Sequence, residues 1–150
     1  MTAFDPYSRE QLRRSYADAW RKRRQGTPLT PLEALIADVI GAHPEYRALV
    51  DDADAAVAYE PSSGGAAENP FLHMGLHLAI REQVSTDRPP GIRDLHRQLQ
   101  ARCGDLHRAD HVLMEALGET LWQAQRAGCP ADEAHYLVLA RRRLLAADRP

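Results

Sequence analysis

Apolar residues return at three- and four-residue intervals along most of this chain, and each such stretch is fenced by residues that start and stop helices. No two-residue alternation competes with that period. The pattern restricts the chain to an all-α fold, and we expect an irregular bundle of five or six helices. Ser8 with Gln11 makes a capping box for a helix of about residues 9 to 25, striped by Leu12, Tyr16, Ala19 and Trp20 and ended by Gly26. Thr30, Pro31 and Glu33 supply the cap, first-turn proline and box partner of a second helix, whose apolar face is Leu32, Leu35, Ile36, Val39 and Ile40. His43 continues that face just before Pro44, and the stretch EYRALV forms a further short turn.

Residues 51–69, DDADAAVAYEPSSGGAAEN, break the helical period with small, acidic and turn-forming residues and read as a long loop. Asn69 and Pro70 restart a helix that runs to about Val84, apolar nearly all round and expected to be the most buried. A helix of about residues 92 to 102 follows the DRPPG turn. Asp105 caps the next helix, Gly128 ends it, and Pro130 is expected to open the last one, packed through Tyr136, Leu137, Ala140 and Leu144. At 150 residues one domain, 1–150, is the natural reading.

Two of these helices carry chemistry. His73 and His77 are four residues apart, as are His107, His111 and Glu115, so each set shares a helix face. Neutral imidazole binds a divalent transition metal (zinc, iron, manganese or nickel) through a ring lone pair, and one carboxylate lowers the charge of the site. The preferred shell is His73, His77, His111 and Glu115, with His43 and His107 as further ligands and Glu119 as a group to orient a ligand or carry a proton. Gly118 inside that helix would let a neighbouring helix approach. A metal-bound water would serve hydrolysis or group transfer. The competing reading is a non-enzymatic interaction or adaptor domain in which the histidines form a buried polar network. His96 and His135 are read as solvent-facing, and Trp20 and Trp122 as packing anchors.

Composition narrows the partners. A formal charge of -2, from 19 basic and 21 acidic residues, gives no global field for nucleic acid or an anionic membrane. The basic run Arg21–Arg24 reads as a solvated helix end. Cys103 and Cys129 make neither a disulfide framework nor a redox pair, no apolar run would span a bilayer, and no leader is recognisable, so the expected address is the cytoplasm. A small molecule or another protein is the partner class left.

The histidine pairs resemble, in part, those of hemerythrin-like and DinB-type metal bundles, although the hemerythrin order is reversed and its terminal ligand motif is missing. Ferritin-like di-iron proteins need paired E-x-x-H motifs, and this chain has none. The blocks TPLTPLEALIADVIGAHPEY, NPFLHMGLHLAIREQ, RPPGI and HVLMEALGETLWQAQRAG together resemble the domain-of-unknown-function 1841 family. That resemblance implies a bacterial, cytosolic, single-domain protein, and it transfers no catalytic residue.

Overall fold

The computed structural model describes residues 6–60 and 69–147, with side chains from residue 9 onward. Eight α-helices and no strands are found among them: α1 (Pro6–Gln25), α2 (Pro31–Gly41), α3 (Arg47–Val50), α4 (Ala53–Ala58), α5 (Pro70–Thr86), α6 (Ile92–Cys103), α7 (Leu106–Ala127) and α8 (Glu133–Ala146). A 3-10 turn, Pro44–Tyr46, joins α2 to α3. The all-α expectation holds, with a higher helix count because of the short α3 and α4. Two compact units divide the chain, residues 1–78 and 79–150, and the boundary falls within α5.

In the first unit, the Thr30 side chain accepts the Glu33 amide and the Glu33 side chain accepts the Thr30 amide, closing the expected capping box of α2. Helix α1 begins at Pro6, so Ser8 lies inside it, and the Ser8 side chain is outside the described residues. Its end is as expected, with Gly26 at φ +70°. Tyr16, Ala19, Ile36, Val39, Ile40, Val50, Phe71 and Met74 form the core, each large aliphatic among them contributing roughly 1.5–3 kcal/mol. Gly75 lies beside the Tyr16 hydroxyl, where a Cβ would sit 3.7 Å away in ordinary van der Waals contact.

The expected loop at 51–69 contains α4, capped by Asp52, whose side chain accepts the Asp54 amide; residues 61–68 lie outside the described residues. What holds so short a helix is remote in sequence. Arg13, 6% exposed, donates from Nη1 to the carbonyls of Ala56, Val57 and Tyr59 at 3.2, 3.2 and 2.7 Å. Its guanidinium also lies 4.5 Å over the Phe71 ring. Every member of the basic run meets a carboxylate: Arg21 with Asp18, Lys22 with Glu33, Arg23 with Asp38 and Arg24 with Asp51.

In the second unit, Ile80, Ile92, Leu95, Leu99, Leu113, Leu117, Tyr136, Leu139 and Leu144 are buried. Asp105 caps α7 and Gly128 ends it at φ +65°, both as expected. The last helix starts later than expected: Asp132, accepting the His135 amide, is the cap of α8, and Pro130 lies before it. The Asp87 carboxylate accepts the Gly91 and Arg93 amides, and the Arg93 guanidinium donates to the Val84 and Ser85 carbonyls at the end of α5. Three sequence expectations need correction. Helix α5 buries Pro70, Phe71, Met74, His77 and Ile80 but leaves Leu72 45% exposed, and α7, with seven buried residues, buries more. Trp122 is 55% exposed, with the Arg126 guanidinium 4.7 Å over its ring, so it is no packing anchor. A Cβ on Gly118 would have nothing within 4 Å, so no element approaches closely there. No described helix is long and apolar enough to cross a membrane.

Candidate functional site

Histidines gather within the first unit. The chain leaves α2 at Gly41 and turns at Pro44, which puts His43 just ahead of the 3-10 turn, while α5 supplies His73 and His77 one turn apart. The three rings pack edge to face: His43 to His73 at 5.0 Å, His43 to His77 at 4.6 Å and His73 to His77 at 5.0 Å between centroids. Tyr46 stacks on His43 at 5.2 Å, and burial pushes its phenol pKa upward, with Glu45 adding to the effect. His43 and His77 are 2% and 1% exposed; His73 is half-buried.

The tautomer of His43 follows from its neighbour. Its Nδ1 lies 2.7 Å from the Val39 carbonyl oxygen, which can only accept, so Nδ1 carries the hydrogen and neutral imidazole keeps its lone pair on Nε2. A backbone carbonyl holding one ring nitrogen while the other faces a metal is a common arrangement for ligating histidines.

In the second unit, His107 and His111 lie on the N-terminal half of α7 with ring centroids 4.4 Å apart, both half-buried. Glu115 differs from the sequence expectation. It is exposed and pairs with Arg143 at 3.4 Å, while Glu119, half-buried, pairs with the same arginine at 3.5 Å and accepts from Gln123. The reason is helical drift: each four-residue step turns about 40° further round the axis, so a stripe that begins with histidines has moved to another face by its third member.

One buried constellation was not foreseen. Asp110 is fully buried on α7. Its Oδ2 accepts from Arg81 Nε at 2.7 Å, and its Oδ1 is 2.7 Å from His96 Nε2. His96, expected to face solvent, is 5% exposed. The signal was available: Asp110 stands in the buried stripe continued by Leu113, Leu117 and Thr120, and His96 is one helical turn from Ile92. An acid within an apolar stripe requires a cation or donors from its neighbours. His135 is half-buried and beside the N-cap of α8, and Cys103 and Cys129 are both free thiols.

A family profile described as "Domain of unknown function (DUF1841)" matches residues 8–142. The chain belongs to that family. The match covers both units of this DUF1841 chain and every histidine discussed above. No curated protein and no solved structure matches it.

Proposed function

We propose that this DUF1841 chain binds a divalent transition metal through imidazole donors, His43 and His77 within its first unit and His107 and His111 within its second. The observation that carries this reading is His43: a buried imidazole fixed by the Val39 carbonyl in the tautomer that a metal ligand needs, with the His77 ring against it. His73, edge-on to both His43 and His77, is the further ligand in this reading. Imidazole donors without a carboxylate suit zinc, iron or nickel better than manganese.

A metal with an exchangeable water would supply a nucleophile for hydrolysis or group transfer, whereas a closed shell would be structural. Glu119 would act as proton carrier only by leaving Arg143. The test is elemental analysis of untagged protein. Near-stoichiometric metal is expected, and His77→Ala or His111→Ala should lose most of it. Folded protein that stays metal-free after zinc, iron, manganese and nickel have been supplied would reject the reading. A second reading, a non-enzymatic interaction domain, is favoured by the exposed Leu121 and Trp122 on α7.

A further inference from the structure

We infer that the Arg81–Asp110–His96 network is the positioning device for the metal-binding histidines of α7. This rests on the metal reading above. Asp110 is one residue before His111 and three after His107. On a helix turning about 100° per residue, fixing Asp110 sets His111 about 100° and His107 about 60° round to the same side, so the two imidazoles stay about 40° apart on one face. The Asp110 carboxylate is gripped from two other helices of its unit, by Arg81 of α5 and His96 of α6, each at 2.7 Å. A buried charge with two partners at that distance leaves α7 little freedom to roll about its axis. Both imidazoles are therefore aimed before an ion arrives. A donor pair so oriented does not spend binding energy on ordering itself.

The proposed ligands are the imidazoles of α7, and Asp110, Arg81 and His96 are not among them. Arg81 balances the carboxylate charge, and His96 donates through Nε2 to an acceptor. His96 and Arg81 are positioning residues acting through Asp110, and Asp110 acts through the backbone of α7.

The experiment compares Asp110→Ala, His96→Leu, His96→Gln and Arg81→Leu with the unaltered chain, using Co(II) as the probe. Affinity is measured by chelator competition, site geometry by the visible Co(II) spectrum, and folding stability on metal-free protein. Leu99→Ala, a fully buried position on α6, is the control for general destabilisation. Loss of the network should weaken Co(II) binding by about 10-fold or more and change the spectrum. His96→Gln, whose amide can still donate to Asp110, should recover most of both. Leu99→Ala should lower stability while leaving affinity and spectrum near those of the unaltered chain. If Asp110→Ala does not fold, His96→Leu against His96→Gln decides the question alone. Network variants that lose stability but bind Co(II) with unchanged affinity and spectrum overturn this inference and leave the metal reading standing. An unaltered chain that takes up no Co(II) overturns both.

Discussion

The two units handle charge in opposite ways. In the first, the ion pairs of the α1 basic run lie among exposed and half-exposed side chains, as in Arg23 with Asp38 at 2.6 Å and Arg24 with Asp51 at 2.9 Å. Among the described residues its one buried cation, Arg13, meets no carboxylate and donates to backbone carbonyls instead; burial and the neighbouring Arg9 pull its pKa below the usual range. In the second unit, a carboxylate with no exposure at all holds three helices through Arg81 and His96. Water screens the first kind of pair and cannot reach the second. Histidine follows the same division. His43 and His77 are buried against each other's rings, whereas the equally buried His96 is tied to an acid. Burial alone does not separate a candidate ligand from a structural imidazole, and the neighbouring group does.

The largest test of this contrast is Asp110→Ala, which leaves Arg81 and His96 without their acceptor. It should cost about 3–5 kcal/mol of folding stability, read from the urea midpoint, and added salt should change that cost little. Arg13→Ala comes next, at about 2 kcal/mol for the lost charged hydrogen bonds. Its effect should be local, appearing as faster amide exchange in Ala53–Ala58. Thr30→Ala, which opens the capping box of α2, should cost about 1 kcal/mol.

Glu33 gives that box a pH dependence. Lys22, then the Thr30 amide, hold its carboxyl at about 2 against an ordinary 4.5. Its contribution is therefore complete above about 4.5 and is lost as pH falls through about 2. Glu33→Gln should flatten this part of the acid limb in a melting-temperature series. The smallest effect belongs to Arg24→Ala, under about 1 kcal/mol and vanishing at high salt. A cost for Arg24→Ala rivalling that of Asp110→Ala would break the comparison between rim and interior.

Much of the fold was legible because helix ends are written in single residues. Thr30, Pro31 and Glu33, then Asp105 and Gly128, each satisfy or release backbone groups next to them in sequence, so reading them needs no knowledge of the tertiary structure. Helix α4 was hidden for the opposite reason. Its own residues carry a cap at Asp52 and several alanines, but the group that caps its far end is Arg13, more than 40 positions away, as the 43-residue separation from Ala56 shows. At the candidate site, the four-residue spacing marked His73, His77, His107 and His111 correctly as ring neighbours within their units. Extending the same stripe to Glu115 failed, because the face had turned towards Arg143. His96 escaped notice because its partner lies on another helix, although Asp110 in the apolar stripe of α7 required one.

The exposure of Trp122 gives the chain a practical asymmetry. Its indole is 55% accessible and lies in the second unit, while Trp20 is half-covered against the core of the first. Water around an indole shifts its emission to longer wavelength and opens it to collisional quenchers. One chain therefore carries two optical labels of different colour, and replacing either with phenylalanine would let the melting of each unit be watched by itself.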